Sequence, residues 1–360
     1  MKKPLVIVGM LVSMAFCLLW GMCGTAPKGG KAGAMGDGYW NASCVTRDGE
    51  WIIAGGDHAA VIDATTGKIT ERVPGMVKAV GCAPSGAVVV GYDSSFSLPG
   101  KAPVTPAIAL TGDVVATTDD GAFVSWARTI TGRKWKGPAT LFVTGGGESR
   151  KVDLLPALFG KVGEARSLPT ADTFAVRVGH LLEDGRLLVA AGWQPSTGED
   201  VPWGFFAMNL ETGEASPLTM PLSSDAALNQ NLVQKIAATP DASVMVVAAH
   251  DGQQLAVATF ETGSVKAARV ATLSSQGAAS AIAVSANGGY VAVGSESRGP
   301  TAPATAWVLD QTGKVFWKEE FPKTITGLHF LDDGSLVVTS AAARAVRVGL
   351  PDLKEKWRTP

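Results

Sequence analysis

Short runs of apolar and β-branched residues recur along the chain from about residue 40 onwards, and turn-forming pairs separate them. Such pairs between apolar runs predict tight hairpins, because Gly, Asn and Asp tolerate the positive φ that these turns require. Seven of the pairs stand between an apolar segment and a second β-rich one: Asp48-Gly49, Ser85-Gly86, Asp120-Gly121, Asp184-Gly185, Asp241-Ala242, Asn287-Gly288 and Asp333-Gly334.

A second family of turns falls later in each repeat and carries a Thr-Gly pair: Thr66-Gly67, Thr212-Gly213, Thr262-Gly263 and Thr312-Gly313. Two tight turns per repeat, separated by a looser connection, define four strands, which we call a, b, c and d. A single four-stranded unit cannot bury both of its faces, so the repeats must stack around an axis. We therefore predict an all-β fold, a β-propeller of four-stranded blades. Seven blades are expected, with six or eight as alternatives, because the second blade around residues 79–112 is poorly marked.

Composition agrees with many short strands and narrows the class of partner. Hydrophobic residues make up 46% of the chain and charged residues 18%, and there are 43 glycines. These values do not suit a helical bundle or a disordered chain. The net charge is −1 and we find no Lys/Arg-rich block after the first residues. A nucleic-acid partner is therefore not expected, because binding to phosphates depends on Lys and Arg.

The N-terminus has the pattern of an export signal. Lys2 and Lys3 precede an uncharged run from Leu5 to Cys23, so residues 1–23 are predicted to be a signal peptide or an N-terminal membrane anchor. The residues before Cys23 resemble a bacterial lipoprotein processing site, which implies lipidation of Cys23, although Met22 departs from the small residue of that pattern. Residues 24–38 are predicted to be a flexible linker and residues 39–360 a single propeller domain. We expect a periplasmic or cell-surface location; a cytoplasmic domain behind an anchor is the alternative.

Two turn sequences carry a family resemblance. The segment Val308–Trp317, in which a Thr-Gly-Lys turn leads to a Trp, is similar to the repeat of quinoprotein-type (PQQ-type) propellers. The segment Cys82–Gly86 resembles the a–b turn of WD-repeat-like propellers. The resemblance implies the propeller superfamily, but no specific member. Enzymes that use pyrroloquinoline quinone are expected to have an adjacent Cys-Cys pair, which the chain lacks, so no cofactor is predicted.

The cysteines and histidines of the domain permit alternative roles. Cys44 and Cys82 stand five and four residues before their turn glycines, which puts their side chains on opposite strand faces. Such faces of neighbouring blades meet, so the two residues could form a disulfide between blades 1 and 2 or remain separate buried thiols. His180 and His329 occupy the same place on strand a of two blades. They could act as a polar pair in the channel or as hydrogen-bonding residues between blades. No catalytic residue and no metal ligand is predicted, and whether the protein is an enzyme stays open.

Long connections are concentrated on one face of the predicted propeller. We place b–c connections at Asp93–Pro106, Trp193–Gly204 and Ser295–Pro303, and d–a connections at Leu155–Thr173 and Pro217–Leu232. Loops on a rigid scaffold concentrate binding residues, so a binding or scaffold module for a protein or envelope polymer is predicted. The alternative is a hydrolase or lyase with its site at the channel mouth of the same face. The binding-face candidates are Tyr92, Phe96, Trp193, Trp203, His250 and Arg298.

Overall fold

The computed structural model describes most of the propeller domain. The described residues are 38–83, 86–91, 94–104, 113–118, 122–127, 130–131, 134–135, 140–145, 148–154, 158, 174–193, 203–219, 233–250, 252–264, 267–299, 301–350 and 352–359. The predicted signal or anchor, the possible lipidation site Cys23 and most of the predicted linker lie outside these ranges. Gly38–Pro360 forms one compact unit.

The described strands form seven four-stranded antiparallel sheets, so the protein is a seven-bladed β-propeller. Blade 1 contains β1 (Trp40–Val45), β2 (Trp51–Gly56), β3 (His58–Asp63) and β4 (Ile69–Pro74), and blade 2 contains β5 (Val77–Ala83), β6 (Gly86–Gly91), β7 (Ser95–Leu98) and β8 (Ala102–Pro103). Blade 3 contains β9 (Asp113–Thr117), β10 (Phe123–Ala127), β13 (Thr140–Gly145) and β14 (Glu148–Asp153), with a separate hairpin of β11 (Ile130–Thr131) and β12 (Lys134–Trp135). Blade 4 contains β15 (Phe174–Leu181), β16 (Leu187–Trp193), β17 (Trp203–Met208) and β18 (Ala215–Thr219), and blade 5 contains β19 (Val233–Ala238), β20 (Val244–His250), β21 (Gln254–Glu261) and β22 (Arg269–Ser274). Blade 6 contains β23 (Ala279–Val284), β24 (Tyr290–Ser295), β25 (Ala304–Asp310) and β26 (Val315–Phe321), and blade 7 contains β27 (Ile325–Phe330), β28 (Leu336–Ser340), β29 (Arg344–Val348) and β30 (Glu355–Arg358).

The predicted turns lie where the sequence analysis put them. Five of these pairs are described in full and fall at the connection between strands a and b of their blades, and each Thr-Gly pair falls between strands c and d. Gly86 is the first residue of β6, and Ser85 and Asp120-Gly121 lie outside the described residues. The prediction of seven blades is confirmed, and blade 2 exists although its sequence marks it poorly.

Burial explains why the middle strands have so few polar residues. In blade 1, five of the six residues of β2 and five of the six of β3 are buried, whereas the outer strand β4 alternates between exposed and less exposed positions. Strands b and c are covered on both faces by the neighbouring blades, so they read as continuous apolar runs. The hydrophobic core therefore lies between blades. One example is the contact of Phe205 in blade 4 with Phe260 in blade 5, whose ring centroids are 5.7 Å apart.

The first and second blades are linked covalently. Cys44 on β1 and Cys82 on β5 form a disulfide with their Cα atoms 5.8 Å apart, so of the two roles considered for these cysteines the structure has the disulfide. The bond spans 38 residues of sequence. A loop of that size corresponds to about 3–4 kcal/mol of stabilisation through restriction of the unfolded chain.

The last blade meets the first through side chains. Ser43, the neighbour of Cys44 on β1, contacts His329 on β27 and Thr339 on β28, with Oγ 2.9 Å from His329 Nε2 and 2.7 Å from Thr339 Oγ1. Thr339 in turn lies 3.1 Å from Thr326 Oγ1. A Cβ on Gly327 would lie 2.0 Å from Ser43 Oγ, so only glycine leaves room for this cluster.

Two further donors from blade 7 close the outer part of the same seam. The carbonyl oxygen of Ala64 in blade 1 accepts a hydrogen bond from Trp357 Nε1 at 2.9 Å and another from Arg347 Nη1. Arg347 also donates to Asp333 Oδ2 at 2.7 Å. Burial raises the pKa of Asp333, but hydrogen bonds from Lys356 and Ser335 and the charge of Arg347 outweigh it and hold that pKa well below its usual range.

We predict that Gly327→Ala weakens ring closure. The new methyl group would overlap Ser43 Oγ, and overpacking of this kind costs about 1–3 kcal/mol. Chemical denaturation should show this loss, and adding Ser43→Ala to the same chain should restore part of it by removing the overlapping oxygen. Equal stability of wild type and Gly327→Ala would contradict the steric account.

Candidate functional site

The antiparallel order of each blade divides the ring into two faces. We call the face with the a–b and c–d connections the turn face, and the face with the b–c and d–a connections the loop face.

Several turns on the turn face are held by hydrogen bonds between a side chain and the backbone amides of the same turn. Asp63 Oδ1, for example, accepts hydrogen bonds from the amides of Thr65 and Thr66 at 3.0 and 2.7 Å. The hydrogen bond from the Thr66 amide, with further bonds from the Thr66 hydroxyl and the Thr65 amide, lowers the pKa of Asp63, so this turn is a structural element.

Most a–b turns carry a further sequence signal that the sequence analysis did not use. A hydroxyl residue stands three positions before the turn residue, and its oxygen accepts the amide that begins strand b. Thr46 Oγ1 does so for Trp51 at 3.0 Å, and Ser285 Oγ does so for Tyr290 at 2.9 Å. The pattern Ser/Thr-x-Asp/Asn-Gly would have found these turns with more specificity than the Gly pair alone.

The loop face carries the longest connections between described strands, but two of the predicted boundaries are wrong. Asp93–Pro106 is not one b–c loop, because β7 and β8 of blade 2 lie within it, and the long connection there runs from 104 to 112. Pro217 belongs to β18, so the d–a connection of blade 4 begins at 220. Residues 194–202 and 296–303 join strands b and c as predicted, and residues 154–173 join β14 to β15.

The predicted binding residues are not equivalent in the structure. Arg298 is exposed in the connection 296–303. Phe96 lies on strand β7 instead of in a loop and packs against the core between blades 1 and 2, which corrects its predicted place. Trp193 ends β16 and Trp203 begins β17, so their backbones flank the connection 194–202. The prediction for Tyr92 lies outside the described residues.

His250 makes hydrogen bonds within the rim of the ring. It is 6% exposed, its Nε2 lies 3.0 Å from the carbonyl oxygen of Ser275, and its Nδ1 accepts from the amide of Gly252 at 3.1 Å. His58 has a similar position in blade 1, with Nδ1 2.5 Å from Asp57 Oδ1 and Nε2 accepting from Trp40 Nε1 at 3.4 Å. Both ring nitrogens of His250 are used inside the protein, so we leave it out of the binding surface.

Polar residues form a ring at the loop-face end of the innermost strands. Each lies eight positions before the a–b turn residue of its blade: Asn41, Lys78, Asp113, Arg177, Gln234, Ser280 and Thr326. In several blades the register of strands a and b shifts at this position, as between Trp40 and Ala42, which is the mark of a β-bulge. Two members bridge to the next blade: Arg177 Nε donates to the Val233 oxygen at 2.7 Å, and Gln234 Oε1 accepts from the Ala279 amide at 2.5 Å. These two side chains thus link blade 4 to blade 5 and blade 5 to blade 6.

Ser43 and His329 have the distance of a nucleophile and its base, but their chemistry favours a structural role. Burial lowers the pKa of His329 to about 4, which makes it a weak base at neutral pH. Ser43 is also bonded to Thr339, across the seam between blades 7 and 1. His180, at the same place in blade 4, has a pKa lowered by burial and partly restored by a hydrogen bond with Ala238. The arrangement favours the second of the two roles considered for these histidines, hydrogen bonding between blades.

One loop-face feature escaped the sequence analysis. The connection 128–139 of blade 3 contains Arg128, Arg133, Lys134 and Lys136 and no acidic residue, so the prediction that no Lys/Arg-rich block follows the first residues is wrong here. Its strands β11 and β12 pair with each other, with Ile130 opposite Trp135 and Thr131 opposite Lys134. These four cationic residues can be read from the sequence, but the net charge of −1 over the whole chain does not reveal them.

Within the described ranges, no group of three or more His, Cys, Asp or Glu residues could hold a metal ion. In the same part of the chain, no helix is long and apolar enough to cross a membrane.

Comparison with solved structures supports the fold. The hydrazine synthase of Kuenenia stuttgartiensis is similar with a TM-score of 0.58 and 12% identity, over 92% of this chain and 100% of that one. The Cps50 (Swd1) β-propeller domain of Myceliophteria thermophila is similar with a TM-score of 0.53 and 12% identity, over 86% and 95%. The Dos1 propeller is similar with a TM-score of 0.49 and 11% identity, over 90% of this chain and 85% of that one. No protein-family model and no curated protein matches the chain. The first two likenesses show the propeller fold alone; the PQQ-type repeat is not shown.

We predict that His329 makes the seam acid-sensitive. Its pKa is about 4 in the folded protein and about 6.5 in the unfolded chain, so its contribution is present above pH 6.5 and is lost as the pH falls through 4. Between pH 7 and 4.5 the loss should be about 1–2 kcal/mol, allowing for water at the half-buried ring. Denaturation at both pH values should show this loss in wild type and in Ser43→Ala, and a smaller one in His329→Gln. If His329→Gln lost as much as wild type, another group would be responsible.

Proposed function

We propose that the protein is an exported binding or scaffold propeller that engages a protein or envelope polymer through its loop face. The observation that carries the proposal is the difference between the two faces. The turn face has short connections, several of which are held by their own Asp, Asn, Ser or Thr side chains. The long connections 104–112, 128–139, 154–173, 194–202 and 220–232 all join strands on the loop face. Long connections on a rigid scaffold are the usual place for recognition residues.

The disulfide supports the export part of the proposal. Disulfides form and persist outside the cytoplasm, and the Cys44–Cys82 bond stabilises the ring beside its closing seam. The uncharged run Leu5–Cys23 behind Lys2 and Lys3 supports the same conclusion. The propeller is then periplasmic or on the cell surface, secreted or kept at the membrane by its N-terminal segment.

A binding role agrees with the chemistry of the described residues better than an enzymatic one. The best nucleophile–base pair, Ser43 and His329, belongs to the closing seam, and the polar ring is used in part for bonds between blades. No specific observation favours the hydrolase or lyase alternative. Exposed Arg298, of a residue type enriched in binding hot spots, belongs to the proposed surface.

Cross-linking tests the choice of face. A photoreactive residue in place of Arg298 on the loop face should capture a partner in cells, whereas the same residue in place of Lys314 should not. Lys314 is an exposed residue of the same blade on the turn face, which makes it a matched control. Deletion of 194–202 should reduce the capture several-fold. Equal capture from both faces, or capture unchanged by the deletion, would refute the loop-face proposal.

Alkylation tests export. In bacteria, the peptides containing Cys44 and Cys82 should resist maleimide in the full chain until a reductant is added, because the disulfide has formed. In a chain lacking residues 1–23, most of the same two thiols should react directly, as the cytoplasm keeps them reduced. Mass spectrometry of the two peptides gives the answer, and a disulfide formed equally in both chains would argue against export.

A further inference from the structure

The innermost strands of the seven blades carry an excess of positive charge. Apart from histidines, their ionisable side chains are three cations, Lys78 on β5, Arg177 on β15 and Lys235 on β19, and one acid, Asp113 on β9. The whole chain, by contrast, has 31 Lys and Arg residues against 32 Asp and Glu residues. The excess is therefore a property of these strands and not of the protein as a whole.

These strands enclose the central channel. Strand a of each blade contacts strand a of both neighbouring blades, in the order β1, β5, β9, β15, β19, β23, β27 and back to β1. Each pairs along its other edge with strand b of its own blade. The edge that no strand covers is therefore the one that faces the axis of the ring.

Lys235 is the exposed residue of an otherwise covered strand. Four of the six residues of β19 are buried and Gln234 is half-buried, whereas Lys235 is exposed. On β20 the residue opposite Lys235 is Ala248, which is buried. Since blades 4 and 6 lie against the two faces of this strand, we infer that the Lys235 ammonium group is accessible from the channel.

Two polar side chains are held in place beside Lys235. Arg177 Nε donates to the carbonyl oxygen of Val233 at 2.7 Å, which brings the guanidinium to the start of β19. Burial lowers the pKa of Arg177, so its charge is partly withdrawn from water. Gln234 Oε1 accepts from the amide of Ala279 at 2.5 Å, and an amide group bound through its oxygen still has two N–H donors.

We propose that Arg177, Gln234 and Lys235, which we call the cationic corner, bind a small anion that carries a carboxylate or phosphate group. The planar Arg fork matches two oxygens of such a group, and Lys adds a second positive charge. The walls of a channel focus the field of the charges that line it. Because closed strands surround the site, it is reached along the channel, which favours a small molecule over a folded partner.

The anion site goes beyond the proposed function, because it does not depend on which partner the loops engage. The cationic corner lies at the loop-face end of the channel, in blades 4 and 5. A ligand bound there would be a second ligand of the protein and not a part of the protein or polymer on the loop face.

NMR titration tests the site. The ¹⁵N-labelled full chain in a neutral detergent is titrated with inorganic phosphate or with succinate, while sodium chloride keeps the ionic strength constant. We expect saturable shifts of the amides of residues 234–236 with a Kd of about 1 mM or tighter. Sodium chloride alone should give no saturable shift, and the tighter of the two anions identifies the preferred group.

Matched variants assign the binding to the cationic corner. Lys235→Gln should weaken the binding of both anions at least about tenfold, since it removes one of the two charges. Arg177→Lys keeps the charge but loses the fork, so it should weaken binding several-fold and serves as a second test if Lys235→Gln does not fold. The control Lys314→Gln removes one charge from an exposed turn-face position and should leave the Kd unchanged.

Three results would overturn the proposal. They are the absence of a saturable shift with either anion, binding that Lys235→Gln and Arg177→Lys leave unchanged, and an equal loss of affinity in Lys314→Gln. Capture through position 298 reports separately on the proposed function. A chain that captures a partner but binds neither anion retains the proposed function and loses this site, whereas one that binds an anion but captures nothing loses the proposed function alone.

Discussion

Closure of the ring between blades 7 and 1 is the constraint on which the remaining structure depends. Each blade takes its four strands from one continuous stretch of chain, blade 7 included, so side chains have to complete the circle. β1 does this in both directions with consecutive residues: Cys44 bonds covalently to blade 2, and Ser43 bonds through His329 and Thr339 to blade 7. Alternation of side chains along a strand is what allows neighbouring residues to reach opposite blades.

Because the ring is closed, its two faces can have different kinds of connection. With the seam fixed by Gly327 and the outer bonds of Trp357 and Arg347, the innermost strands form a rigid wall around the channel. Several of the described connections on the turn face, such as those at Asp63, Asn287 and Asp310, are held by hydrogen bonds to their own side chains. Long connections on a rigid scaffold are where recognition residues concentrate, so residues in the loop-face connections can change without cost to the core.

Prediction from sequence succeeded where a local rule decides the structure. The turn pairs located strands a and b where the turn makes a local demand on the backbone. Five turn residues, Gly49, Gly185, Ala242, Gly288 and Gly334, have a positive φ, which few residue types adopt readily. It failed at blade 2, where β7 and β8 are short and β8 ends in Pro103, so their pattern reads as a loop. Phe96 was misplaced for the same reason. The four cationic residues of the connection 128–139 were overlooked because charge was considered over the whole chain and not connection by connection.

The sequence by itself determined the class of fold, its repeat and the side on which the long connections lie, since strand alternation and turn chemistry act over a few residues. Only the tertiary structure decided which polar residues serve the ring and which can serve a partner. From the sequence, Cys44 and Cys82 could form a disulfide or remain separate thiols. In the structure they form the disulfide, with their Cα atoms 5.8 Å apart. His250 looked like a surface residue until its two nitrogens were found bonded within the rim. The physical reason is that burial and hydrogen-bond partners come from other blades, and closure of the ring sets which residues of those blades are near.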